Sequence, residues 1–199
     1  MSGIIASNID SNSGLIKKPS AGVWVKISSV TASSSGDVSF TSGIDSTYDK
    51  YCFIFNNIHP QTDSQTWQVN FSSDTGSNYN VTKTTTYFDA YHIEDDSQAA
   101  MGYRVAEDVA QGTGVATILR NLGDDNDQSA SGYLHLFEPS STTYTKHFIG
   151  GGSTYGSADE NINNFMAGYF NTTSAVDAIQ FSMSSGNIDA GDICLYGIN

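Results

Sequence analysis

Apolar and polar residues alternate along this chain in short runs, and almost nowhere recur at the three-to-four spacing of a helix. Trp67-Gln68-Val69-Asn70-Phe71 alternates strictly. That places Trp67, Val69 and Phe71 on one side of a strand, and Gln68 and Asn70 towards solvent or a polar interface. Val23-Trp24-Val25-Lys26-Ile27 alternates in the same way. Tyr51-Cys52-Phe53-Ile54-Phe55 is apolar at every position, which predicts a central strand covered on both faces. Asn56-Asn57-Ile58-His59-Pro60 is expected to close it. Further strands are expected at 38–40, 84–93, 115–119, 132–137, 143–149, 164–170, 178–183 and 193–198. Clusters of Ser, Gly, Asn and Asp, as at 33–37 and 72–77, supply the turns. The best helical stretch is 99–110, although its apolar spacing is poor. The pattern predicts an all-β fold, an antiparallel β-sandwich of jelly-roll type with little helix. Phe53, Phe55, Trp67, Val69 and Phe71 are the predicted core.

The first residues do not follow this pattern. Gly3-Ile4-Ile5-Ala6 and Gly14-Leu15-Ile16-Lys17 are two apolar patches separated by a polar Asn/Ser/Asp spacer. The stretch is too short and too polar to span a membrane, and it lacks the apolar core of a secretory signal. It reads as an extended docking arm, residues 1–22, with Ile4, Ile5, Leu15 and Ile16 as its grips. Pro19-Ser20-Ala21-Gly22 is the hinge before a body of residues 23–199. Burying four such side chains on a partner would contribute about 6–12 kcal/mol before ordering costs. Backbone entropy of about 1–2 kcal/mol per ordered residue consumes most of that, so several copies would be needed for permanent attachment.

Composition sharpens this picture. At 199 residues the chain can bury a core without covalent staples. Its net charge of −13 disfavours nucleic acid and anionic membranes as partners. Polarity comes mainly from Ser, Thr, Asn and Gly beside many Tyr and Phe, the profile of a β-rich extracellular or viral protein. The two cysteines, Cys52 and Cys194, lie in apolar strand-like runs and are expected as free thiols, with one inter-strand bridge as the alternative.

Candidate chemistry is sparse. Asp124-Asp125-Asn126-Asp127 invites a calcium reading, but the loop pattern needs Gly at its sixth position and Glu at its twelfth. Counted from Asp125, those positions hold Ala130 and Leu136, so a solvated acidic turn is expected. Glu94-Asp95-Asp96 reads likewise. His59, His92, His135 and His147 are scattered, with no HxH or HExxH pair, and no GxSxG elbow occurs. Gly150-Gly151-Gly152 lacks the Lys-Ser/Thr of a phosphate loop and is expected in a flexible loop. No metal, cofactor or catalytic residue is assigned. Tyr87, Tyr91, Tyr103, Tyr144 and Tyr155 could line a sugar-binding surface or simply fill the core.

Several segments in order carry a family resemblance: the two arm patches, then Gly43-Ile44-Asp45-Ser46-Thr47-Tyr48-Asp49, Asn56-Asn57-Ile58-His59-Pro60-Gln61-Thr62-Asp63, and Leu195-Tyr196-Gly197-Ile198. In these the chain resembles virion structural proteins encoded by phages of aquatic bacteria. The resemblance implies a virion component on the capsid surface or in the tail, and brings no catalytic residues. The expected function is a non-enzymatic virion subunit docked by its arm onto other virion proteins. It would act as a homo-oligomer, a trimer by analogy. The alternative is a receptor-binding module of a tail fibre or spike that recognises host glycans. A glycan-cleaving enzyme is the weaker third reading, since it would need a paired carboxylate in a groove.

Overall fold

The computed structural model describes residues 24–198. The docking arm, with Ile4, Ile5, Leu15 and Ile16, lies outside the described residues. The described chain is all-β and antiparallel, with twelve strands and no helix among the described residues. In order these are β1 (Val25–Ser35), β2 (Asp37–Phe40), β3 (Lys50–Pro60), β4 (Gln65–Ser72), β5 (Lys83–Ile93) and β6 (Ala99–Tyr103). They continue with β7 (Ala116–Leu122), β8 (Ala130–Phe137), β9 (His147–Gly156), β10 (Glu160–Phe170), β11 (Ala178–Met183) and β12 (Ile188–Ile198).

The strands follow one hydrogen-bonded path, β1-β12-β3-β8-β9-β7-β4-β11-β2, and a branch leaves β9 through β10 and β5 to β6. The two ends of the path, β1 and β2, are consecutive in sequence and separated by Gly36 alone. The sheet therefore curls until its ends meet, nearly closed like a barrel. Its weakest seam is β7–β9, where one register pair, Leu122 with Gly156, makes the join.

The core lies inside the curl. Phe53 and Phe55 of β3 meet Phe181 of β11 with ring centroids 5.3 and 5.2 Å apart, and Phe181 stacks on Trp67 of β4 at 5.5 Å. All five predicted core residues are fully or almost fully buried. Aromatic pairs at these separations contribute about 0.5–1.5 kcal/mol each beyond the area they bury.

The structure corrects several expectations. Residues 99–110 are not helical. Ala99–Tyr103 form the edge strand β6, and Phe88 opposite Tyr103 and Ala90 opposite Met101 set its register. Inter-strand pairing overrides the local helix preference of alanine here. The three glycines at 150–152 lie in the middle of β9, not in a loop. A Cβ on Gly152 would sit 2.3 Å from the Ser131 carbonyl, and one on Gly151 2.4 Å from that of Asn164. Glycine is needed because the neighbouring backbones come so close. Asn56–Pro60 do not end β3. Asn57, at φ 51°, absorbs a bulge and the strand resumes. Residues 143–146 precede the strand rather than belonging to it. Of the two settings expected for Asn70, solvent or a polar interface, the structure has the second: it is buried and hydrogen-bonded to Lys83 and Thr113.

The cysteines are free. In the β12–β3 register Cys194 sits opposite Ile54 and Cys52 opposite Tyr196, so the two thiols are diagonal neighbours. Diagonal Cα separations of about 7–8 Å exceed what a disulfide spans without backbone movement.

Candidate functional site

β5 alternates without a break. Lys83, Thr85, Tyr87 and Asp89 are buried, while Thr86 and Phe88 between them are exposed. The usual assignment is inverted: charges face in and an aromatic faces out. β10, paired with β5 along its length, repeats the inversion locally: Glu160 and Asn164 are buried and Phe165 is exposed, among the buried apolar Ile162, Met166 and Phe170. In register, Tyr103, Phe88, Phe165, Gly151 and Tyr133 form one row on the outer face of β6-β5-β10-β9-β8. Phe88 and Phe165 stack at 4.8 Å with their planes 11° apart. Met101, Ile149 and Tyr169 stand exposed beside them. None of these side chains carries a charge, on a chain of net charge −13.

The buried polar groups beneath explain why the ridge can face water. Asp89 has no exposed surface and is held by two guanidiniums. Arg104 reaches its two carboxylate oxygens from Nη2 and Nε at 2.9–3.1 Å, and Arg120 donates from Nε. Tyr87 donates its hydroxyl to Asn164 Oδ1, which also accepts the Arg120 backbone N–H at 3.2 Å. Asn164 Nδ2 donates to Thr154 Oγ1 at 3.0 Å. A buried network with its partners in place fixes strand register more tightly than apolar packing alone. It thereby forces the alternate side chains, Phe88 and Phe165, outward.

The ridge borders a shallow groove of about 420 Å³, lined by His92, Glu94, Ser153, Tyr155 and Asn161 among others. Ser153 donates to Asn161 Oδ1 at 2.8 Å, and His92 meets Asp96 at 3.0 Å. Desolvation and the Glu94, Asp159 and Asp127 carboxylates push the Tyr155 hydroxyl up to about 12, so it remains a donor at neutral pH. The described chain begins on this same outer side. Trp24 packs edge-on against Tyr196 at 5.6 Å and His135 at 6.2 Å.

Of the five tyrosines singled out in the sequence, Tyr103 joins the ridge and Tyr155 the groove. Tyr87 is buried beneath them, Tyr91 is half-buried under the Arg104 guanidinium, and Tyr144 is exposed in a loop elsewhere. Phe88, Phe165, Met101 and Ile149 are not singled out by the sequence pattern. The signal is present in the alternation of 83–89, where four polar-capable side chains share one face, but the pattern does not say which face is inside. His59 Nε2 lies 3.2 Å from the Asp125 carbonyl, tying β3 to the exposed acidic turn at 124–127. Glu94-Asp95-Asp96 belongs to the β5–β6 hairpin turn, where Asp96 donates its N–H to the Ile93 carbonyl at 3.0 Å. Among the described residues no three His, Cys, Asp or Glu side chains cluster closely enough to hold a metal ion. The chain matches no family model, no curated protein and no solved structure.

Proposed function

We propose that this chain is a non-enzymatic structural protein of a phage virion, an accessory subunit on the capsid surface or tail. In this reading the curled sheet is a jelly-roll-like sandwich body, residues 1–22 are a docking arm, and the outer face of β6-β5-β10-β9 is a second contact surface for another virion protein. The observation that carries it is the exposed Phe88–Phe165 stack over the buried Asp89 and Asn164. Contiguous uncharged aromatics left in water, above a fully satisfied ionic layer, are the mark of an interaction surface. The β6 edge supports association. Its sequence, Ala-Ala-Met-Gly-Tyr, has none of the charges or prolines that guard an unpaired strand edge. In this reading the chain assembles as a closed homo-oligomer, a trimer by analogy.

The test is incorporation into particles. Phe88→Ser with Phe165→Ser should leave the circular dichroism of the isolated chain unchanged and abolish its recovery with purified particles. Recovery at the wild-type copy number would refute the surface, and absence of the wild-type chain from particles would refute the virion assignment.

A second reading is favoured by the groove. Donors and acceptors from His92, Asn161, Ser153 and Tyr155 beside an aromatic ridge suit a glycan ring, which stacks on an aromatic face and hydrogen-bonds at its rim. A glycan array probed with the wild-type chain and with Phe88→Ala separates the two readings. Binding lost on substitution supports a receptor-binding module of a tail fibre or spike.

A further inference from the structure

Lys83 and Lys146 are buried, although the chain has only eight basic side chains to distribute. Lys146 is capped by the backbone carbonyls of Thr172 and Ser174. Lys83 is placed differently. It has no exposed surface, and its Nζ lies 2.7 Å from the side-chain Oδ1 of Asn70 on β4. Its other hydrogen bond among the described residues is to the Val81 carbonyl at 3.3 Å, and the Phe71 ring lies 5.9 Å away. Both hydrogen-bond partners are neutral.

Asn70 is held in place by three hydrogen bonds on its amide. Its Oδ1 accepts the Phe71 backbone N–H at 3.0 Å as well as the Lys83 ammonium, and its Nδ2 donates to the Thr113 carbonyl at 3.1 Å. These contacts fix which amide atom is oxygen. A C=O bond is about 1.2 Å long, so Nζ is within about 4 Å of Cγ. Attack at about 3–3.5 Å requires Nζ to close by under about 1 Å, through rotation about the last bonds of the lysine.

We propose that Lys83 and Asn70 form an intramolecular isopeptide bond that staples β4 to β5. Nζ of the neutral lysine adds to Cγ, and the carbonyl electron pair moves to Oδ1, where the Phe71 N–H stabilises the developing charge. The intermediate collapses with cleavage of Cγ–Nδ2. One Nζ proton passes to Nδ2, which leaves as ammonia. Nothing is oxidised or reduced, and no co-reactant is consumed. Burial supplies the reactive form: desolvation lowers Lys83 to about 8, which leaves about a tenth of it neutral at pH 7. Burial of both partners also keeps water, the competing nucleophile, away from the amide. The bond would anchor the start of β5, the strand that carries Phe88.

Mass spectrometry of the full chain tests this directly. After incubation at a pH of about 8, near the Lys83 value, the intact mass should lie below the sequence mass by one ammonia. Lys83 is the one trypsin site between Lys50 and Arg104. The denatured digest should therefore yield residues 51–104 as a single fragment, also lighter by one ammonia, because Lys83 is no longer cleavable. Lys83→Arg and Asn70→Ala should each restore the sequence mass. An intact wild-type mass equal to the sequence value overturns the proposal. So does loss of ammonia with cleavage after Lys83 retained, which marks a succinimide at Asn70. The wild-type digest distinguishes these outcomes whether or not the variants fold.

Discussion

Phe88 and Phe165 stack face to face on the outer side of two paired strands, while the next residue on one, Asp89, and the preceding residue on the other, Asn164, are buried directly behind them. At this point each strand turns an aromatic ring towards water and a polar side chain towards the core, although Ile162, Met166 and Phe170 of β10 are buried in the ordinary way. Packing alone would favour the reverse, so the ridge owes its position to the ion and hydrogen-bond network behind it.

Substitutions in the ridge and in the core should therefore separate. Phe53, wholly buried against Phe40 and Phe181, should cost about 3–5 kcal/mol when replaced by Ala. Phe165, 38% exposed, should cost about 1 kcal/mol, chiefly its stack with Phe88. Urea unfolding of the two variants reads the difference. Equal losses would mean that Phe165 is a core residue and the ridge is no surface.

Asp89 pairs with both Arg104 and Arg120. Asp89→Ala leaves both partly buried guanidiniums without their counter-ion and should destabilise by about 3 kcal/mol. Arg120, with a side chain 20% exposed against 35% for Arg104, should be the more costly of the two arginines to replace by Ala. Denaturation midpoints of the three variants check the order. An Asp89→Ala chain as stable as the wild type would show that the network does not hold the strands in register.

Much of the strand plan was legible in the sequence, because period-two alternation and turn residues are local. The strand at 178–183 coincides with β11, and the alternation at 67–71 placed three core aromatic and aliphatic side chains correctly. Edge pairing was not legible. Ala99–Tyr103 has no strand pattern of its own and takes its conformation from β5. Nor was the aromatic ridge. Which face of 83–89 turns inward depends on Arg104 and Arg120, contributed from 15 and 31 positions away. The glycines of β9 misled for a related reason: their requirement arises from the approach of β8 and β10, not from a turn.

The two thiols should differ in reactivity. Desolvation pushes Cys52 up to about 12, so almost none of it is thiolate at neutral pH, and it has no exposed surface. Cys194 is half-buried on the adjacent strand. Iodoacetamide on the native chain should label Cys194 first, and Cys52 should react only at the rate of unfolding. Two thiols should titrate in denaturant without reductant. None would establish the bridge that the register argues against.

Stability should depend on pH at the point where the described chain enters the ridge face. His135 lies under Trp24 between Tyr133 and Phe137, and its buried Nδ1 has no hydrogen-bond partner. Desolvation, with the Lys50 charge adding to it, holds its pKa below the ordinary value of 6.5. Between the lowered folded value and the unfolded one, the unfolded chain binds more protons, so stability rises with pH across that window. The His135 contribution is complete above about pH 6.5 and is lost as pH falls through the window. The urea midpoint should therefore drop between about pH 7 and 5, by more in the wild type than in His135→Gln, whose side chain does not titrate there. Carboxylates elsewhere titrate in both proteins and cancel in the difference. The Trp24 fluorescence maximum should shift to the red over the same interval, as the indole loosens from a protonated ring. Parallel pH profiles for the two proteins would show that His135 remains solvated and that Trp24 is not held against it.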